Sequence, residues 1–133
     1  MAYLVDSDWV IDHLAEVPEA VALLDSLAPE GLRISIVPYM EVFQGIERSA
    51  DPEQAEAKFR NLLSAVSVLP LSLSIARRCA RLRETLRRQG KRVNPRALDL
   101  LNAAVALEYD LTFVTRNIRD YDDVPGLRLW REG

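Results

Sequence analysis

Apolar positions along the chain alternate between strand-like and helix-like spacing. Ala2 to Val5 is a short apolar run that stops at Asp6, and an amphipathic stretch follows from Asp8 to Leu14. Pro18 opens a second helical stretch to about Leu27, Pro29-Glu30-Gly31 reads as a turn, and the β-rich run Arg33 to Val37 reads as a strand. Pro38 fits the first turn of a helix reaching about Arg48, and Asp51-Pro52 starts another, to about Val66. Val68 to Leu71 reads as a third strand. From Ser74 onward Ile75, Cys79, Leu82 and Leu86 recur at intervals of 4, 3 and 4, which marks one buried helical face ending at Gly90. Asn94-Pro95 reads as the cap and first position of a helix to about Tyr109. Leu111 to Thr115 is a fourth strand and Leu127 to Trp130 a fifth.

Strands alternating with helices predict an α/β fold, with a parallel sheet covered by helices on both faces. In such sheets the ligand crevice lies at the carboxyl ends of the strands, where the strand order reverses. The polar residues expected there are acids. Asp6 directly follows the first strand, and Glu41 lies four residues after Val37, in the first turn of the next helix. Asp99 is expected about a turn into the helix beginning at Pro95, and Asp120 follows the fourth strand by five residues, with Thr115 and Asn117 between.

Asp99 is the hardest of the four to explain as ordinary structure. It stands in the apolar run Ala97-Leu98-Asp99-Leu100-Leu101, with no basic residue from 97 to 107, and a carboxylate there is costly unless something satisfies it. Asp6 could cap a helix, Glu41 could sit at a favourable helix start, and Asp120 could make a turn, so each of these alone also fits a structural role. Several carboxylates sharing one crevice, however, cannot all stay ionised without a cation. Oxygen-only ligands select a hard divalent ion, Mg²⁺ or Mn²⁺, whose open positions suit phosphate oxygens and an activated water. That chemistry is phosphodiester hydrolysis.

Composition narrows the classes further. The 133 residues, 49% hydrophobic and 28% charged, fit one globular domain spanning 1–133. The single cysteine, Cys79, and single histidine, His13, exclude a disulfide framework, a cysteine zinc site and a histidine-pair ribonuclease. No apolar run approaches a membrane span, and MAYLVDSDWV lacks the basic start of a signal peptide, so a cytoplasmic location is expected. The net charge of −3 hides an asymmetry: nine of the 17 Lys and Arg fall between Arg77 and Arg96, with Glu84 the only acid among them. Arg87, Arg88, Arg92 and Arg96 in this cluster are candidates for contact with an RNA backbone or an acidic protein partner.

With these acids in view, the sequence resembles the PIN-domain ribonucleases, particularly the VapC toxins of prokaryotic VapBC toxin–antitoxin pairs. The matching pieces are YLVDSDWVIDHL (3 to 14), ISIVPYMEVFQGI (34 to 46), ALDLLNAAVAL (97 to 107) and FVTRNIRDYDDVPGLRLW (113 to 130). The resemblance implies a five-stranded parallel sheet and an acidic quartet, Asp6, Glu41, Asp99 and Asp120, binding Mg²⁺ or Mn²⁺. Ser7, Thr115 and Asn117 fall at the family's supporting polar positions. Asn102 departs from the family's usual apolar residue, and some PIN domains place the fourth acid where Asn117 stands. The resemblance further implies a metal-dependent endoribonuclease toxin that cleaves RNA, often tRNA or rRNA, forms a homodimer, and is inhibited by a cognate VapB-type antitoxin. A PIN nuclease for RNA processing or DNA flaps is the alternative. A non-catalytic receiver-like module also places acids at strand ends, but the only lysines here, Lys58 and Lys91, both fall in helical regions.

Overall fold

The computed structural model describes residues 2–132. Four strands, β1 (Tyr3–Val5), β2 (Leu32–Ser35), β3 (Val66–Leu69) and β4 (Thr112–Val114), form one sheet in the order β3-β2-β1-β4, every pair parallel. Six α-helices surround it: α1 (Ser7–Leu14), α2 (Pro18–Leu27), α3 (Ile36–Glu47), α4 (Pro52–Leu62), α5 (Leu73–Arg88) and α6 (Ala97–Glu108). From β1 the chain moves outward through β2 to β3, then returns to place β4 on the opposite side of β1. The strand order therefore reverses between β1 and β4, and the crevice of this fold class opens at their carboxyl ends.

Alternation along the strands divides the core. Tyr3 and Val5 of β1 join Ile34, Val66 and Val114 in a buried cluster with Trp9 and Val10 of α1, Leu24 of α2, Val42 and Ile46 of α3 and Phe59 of α4. Leu4, one residue out of phase, joins Phe113 in a second cluster with Ile75, Cys79, Leu82 and Leu86 of α5 and Leu100 and Ala103 of α6. The 4, 3, 4 spacing of α5 is thus the buried seam against α6. The two helices run antiparallel. Near the start of α5, Arg78 Nε donates to Glu108 Oε1 at the end of α6 (2.7 Å), while farther along it Arg83 donates to Asn94 Oδ1, just before α6 (3.1 Å).

The helix from Pro52 ends at Leu62, which lets the third strand begin at Val66, and three further boundaries move for a visible reason. The run Arg33 to Val37 does not stay extended, because the Ser35 hydroxyl accepts from Val37 N (3.1 Å) and caps α3. Glu41 consequently sits in the second turn of α3 rather than the first. Asn94 does not cap α6; residues Asn94–Arg96 form a 3₁₀ turn and the α-helix begins at Ala97, which puts Asp99 in its first turn. The fifth strand shrinks to a single bridge between Phe113 and Leu129. In the three-residue β4, Thr112 N and Val114 O face the β1 side, where they bond Ala2 O and Asp6 N. Only Phe113 presents its N–H and C=O outward, to Arg128 O and Trp130 N, each at 2.8 Å.

Arg96 differs from expectation as well. Its side chain is buried, donating to both carboxylate oxygens of Asp123 (2.8 and 3.0 Å), to Arg92 O (2.8 Å) and to Asp120 O (3.0 Å). A guanidinium occupied in this way is a strut between the turn before α6 and the segment after β4, not a contact for RNA or antitoxin. Among the described residues no helix is long and apolar enough to cross a membrane.

Removing one partner of a buried ion pair leaves the other uncompensated. Arg96→Ala is expected to lower unfolding free energy by about 3 kcal/mol in urea titration, and Arg96→Ala/Asp123→Ala to lose less than the two single losses combined. A fully stable Arg96→Ala variant would show that the strut is dispensable.

Candidate active site

Asp6 occupies the point where β1 becomes α1. Its backbone is extended, its N–H bonds Val114 O (2.9 Å), and its side chain accepts from Ser7 N (2.8 Å), which caps α1. Capping alone would leave the carboxylate at the surface, yet Asp6 is buried. Its other oxygen accepts from the Thr115 hydroxyl at the end of β4 (2.8 Å), and Asn102 Nδ2 of α6 approaches Oδ1 at 3.4 Å. All of these partners are neutral, and none of the ion pairs among the described residues includes Asp6. Burial, then the charges of Asp8 and Glu41, push its pKa up to about 7 against the hydrogen bonds from Thr115 and Ser7.

Asp99 is tied to the same point through two residues of the opposite core. Tyr121 is buried, with its ring edge-on to Phe113 at 4.6 Å between centroids, and its hydroxyl donates to Asp99 Oδ1 (3.1 Å). The Asn102 side chain also acts on this phenol, opposing the upward shift of its pKa. Asn102 Oδ1 accepts from the buried hydroxyl of Ser35 (2.8 Å). The carboxyl ends of β1, β2 and β4 are thereby linked to the start of α6 by one buried polar network. Burial raises the pKa of Asp99, with the Tyr121 hydrogen bond opposing it and the charge of Asp120 adding to it. Burial, then the charges of Asp6 and Asp99, raise that of Tyr121, so it remains a hydroxyl donor.

Glu41 and Asp120 stand at the two ends of this network, the first close enough for its charge to act on Asp6, the second on Asp99. The acids form an open arc, spaced by the neutral groups of Asn102 and Tyr121. Among the described residues no three Asp, Glu, His or Cys side chains close into a cage for a metal ion. An open arc of oxygen donors still suits Mg²⁺ or Mn²⁺. Mg²⁺ commonly takes one or two protein carboxylates, keeps several waters and fills its shell with substrate phosphate oxygens. Asp6, a buried carboxylate without a cationic partner, is the donor that fits such an ion most directly.

The remaining expected residues divide. Thr115 touches Asp6 through its hydroxyl and Ser7 through its backbone N–H, whereas Asn117 supports Thr115 through its own N–H (3.1 Å). Arg87 and Arg88 both bond Glu84 on the exposed face of α5, while Arg92 is exposed in the turn beyond it. The sequence gives no reason to single out Ser35 or Tyr121, both apparently ordinary core residues; their roles arise from contacts across 67 and 22 positions. Asn102 carried a signal, a polar side chain in an apolar helical run. Asp8, adjacent to the site, accepts from Arg116 N (3.0 Å), while the Arg116 side chain pairs with Asp12 and lies over the Trp9 ring at 3.9 Å.

Residues 3–127 match the family model described as PIN domain. A tRNA(fMet)-specific endonuclease VapC of Shigella flexneri is 30% identical over 128 residues, covering 96% of this chain and 96% of that protein. The DNA-bound VapBC structure from Salmonella typhimurium superposes with a TM-score of 0.85 at 28% identity, over 98% of this chain and 97% of that one. The VapBC2 structure from Rickettsia felis, bound to a promoter DNA fragment, shares the fold along both full chains, with a TM-score of 0.88 at 24% identity. An acidic arc at the β1/β4 crossover, on a fold matched over nearly its whole length, places the chain in the PIN-domain family, among the VapC ribonucleases.

Proposed function

We propose that this chain is the endoribonuclease toxin of a type II toxin–antitoxin pair, hydrolysing RNA phosphodiester bonds at the acidic arc with Mg²⁺ or Mn²⁺. The observation that carries the reading is Asp6, a buried carboxylate held by neutral donors beside two further acids, where only a cation would complete its surroundings. Asp6 and Asp99 are the direct ligands in this reading, with Glu41 and Asp120 completing the shell or holding its waters. When bound, the ion would supply an activated water and charge neutralisation at the scissile phosphate. The chain's own residues fix the donors: Thr115 and Ser7 N orient Asp6, and Tyr121 orients Asp99, as hydrogen-bonded partners do for metal-ligating carboxylates. The Shigella relative's description as a tRNA(fMet)-specific endonuclease supports tRNA as the substrate class.

A groove of about 480 Å³ between α1, α3 and α4 supports the antitoxin as partner. Apolar Ile11, Leu14, Val42 and Ile46 line it, Arg48 and Lys58 add positive charge, and Glu41 belongs both to this wall and to the acidic arc. A partner segment lying there would reach the active site directly. Exposed Met40 and Leu98, each adjacent in sequence to one of the acids, support a homodimer that covers apolar surface beside the crevice.

Purified protein incubated with tRNA and Mn²⁺ is expected to cleave it. Asp6→Ala and Asp99→Ala should each lower the rate at least about 100-fold and relieve the growth arrest caused by induction without antitoxin. A wild-type chain that leaves tRNA, rRNA and growth untouched would overturn the assignment. Loss of a partner that orients a ligand commonly costs 10- to 100-fold. Tyr121→Phe and Asn102→Leu should therefore retain the fold while losing about 10-fold in kcat.

The pH dependence of stability has a definite sign. Asp6 titrates near pH 7 when folded, against an ordinary value of 3.8, so between these values the folded chain holds a proton that the unfolded chain has released. Stability of the metal-free protein should thus fall as pH rises from about 4 to about 7, Asp6 contributing a loss of at most about 4 kcal/mol. Thermal melts of Asp6→Asn should show a shallower decline. Adding Mg²⁺ at pH 8 should raise the melting temperature of the wild type and not that of Asp6→Asn. Identical profiles for the two proteins would remove Asp6 as the titrating ligand.

A further inference from the structure

Beyond the acidic arc lies a second, oppositely charged feature. Gly90, with φ +75°, ends α5 in a left-handed turn in which Gly90 N bonds Arg87 O (3.0 Å) and Lys91 N bonds Leu86 O (2.9 Å). The chain then turns back toward α6 and exposes Lys91 and Arg92. Arg119, exposed in the 3₁₀ turn Ile118–Asp120, faces them across a cleft of about 310 Å³. The buried strut from Arg96 to Asp123, Asp120 O and Arg92 O forms the cleft wall and locks its two sides together. Asp123 is neutralised by Arg96. Asp120, the other carboxylate of the cleft, is the one whose charge acts on Asp99, so the cleft adjoins the acidic arc.

The cationic groups of the α5 region are not equivalent. Arg87 and Arg88 share Glu84, Arg78 is held by Glu108, and Arg83 by Asn94. No hydrogen bond or ion pair among the described residues engages the side chains of Lys91, Arg92 or Arg119. They are cations without a hydrogen-bonding partner on a rigid frame, with the charge of Lys91 also acting on Asp123, beside a site that accommodates a scissile phosphate on the reading above. Phosphate contacts of this type position a nucleic acid without reading its bases.

We propose that Lys91, Arg92 and Arg119 form a subsite for a backbone phosphate of the RNA flanking the cleaved bond, setting the path by which the strand enters the acidic arc. This inference rests on the nuclease reading and adds a fixed direction to it: the strand runs from the arc past Asp120 toward the end of α5. The Arg96–Asp123 pair is a positioning element, holding the cations at the rim without touching the RNA.

The test compares Lys91→Gln/Arg92→Gln/Arg119→Gln with Arg77→Gln/Arg78→Gln/Arg81→Gln, which removes the same charge around a separate cleft at the other end of α5. With a tRNA substrate and Mn²⁺, the rim variant is expected to raise KM about 10-fold with kcat within twofold of wild type, and the control variant to stay within twofold in both. Anisotropy of a labelled single-stranded RNA 20-mer should show a salt dependence for the rim variant that is shallower by about one phosphate contact. Arg92 and Arg119 replaced by Lys should restore most of the affinity. Equal losses in both variants would reduce the effect to net charge. Unchanged RNA binding with weakened antitoxin binding would assign the rim to the protein partner, and either result overturns the subsite. A wild type that binds the 20-mer with the predicted rim dependence but cleaves no RNA would instead refute the nuclease reading and leave the rim intact.

Discussion

A carboxylate buried at the end of the central strand sets the terms for the rest of the molecule. Asp6 accepts hydrogen bonds from a helix start, a strand end and α6 at once, so three elements must meet at a single point. Neutral donors lower the cost of its charge without removing it, which is why its pKa rises to about 7 despite two well-formed hydrogen bonds at 2.8 Å. Replacing Thr115 or Asn102 by an apolar residue would relieve no strain and would leave the carboxylate less satisfied. The arrangement makes sense as a site kept at the expense of stability, a pattern common where ligands complete the electrostatics.

Charge is sorted by the antiparallel pairing of α5 and α6. Because Arg78 meets Glu108 and Arg83 meets Asn94, the basic C-terminal end of α5 lies beside the acidic start of α6. The acids would repel a polyanion on their own. A basic rim a short distance away offsets that repulsion and gives an approaching strand an orientation, provided the frame between them is stiff. Arg96 provides the stiffness: it is buried and spends four of its five donors on oxygens of two segments. An arginine in a basic cluster and an arginine in a strut look identical in sequence, and only burial separates them.

Much of the architecture was legible from the spacing of apolar residues. The seam of α5, the alternation of strands and helices, and the acids after β1 and β4 all follow from short-range pattern. The errors have separate causes, a capping group that overrides propensity in one place and a short neighbouring strand in another. Ser35 sits in a run rich in β-formers, yet its hydroxyl ends the strand and moves Glu41 into the second turn. Leu127 to Trp130 has strand composition but meets a neighbour of three residues that can offer only Phe113. The buried network was partly hidden because hydroxyls at 35 and 121 carry no periodic signature; what makes them polar neighbours of Asp6 and Asp99 is chain topology.

Asn102 shows how one buried amide can serve an acidic site. In an apolar helical run, an amide would ordinarily be a defect, since a buried side chain with two donors and an acceptor must find partners. Here it bonds Ser35 and approaches Asp6 while also acting on the Tyr121 phenol. One residue thus couples the orientation of Asp6 to that of Asp99, which Tyr121 holds in turn. An apolar residue at 102 would leave the two acids to be fixed independently. The chain instead places neutral groups between Asp6 and Asp99, while Glu41 and Asp120 act on the two acids through charge.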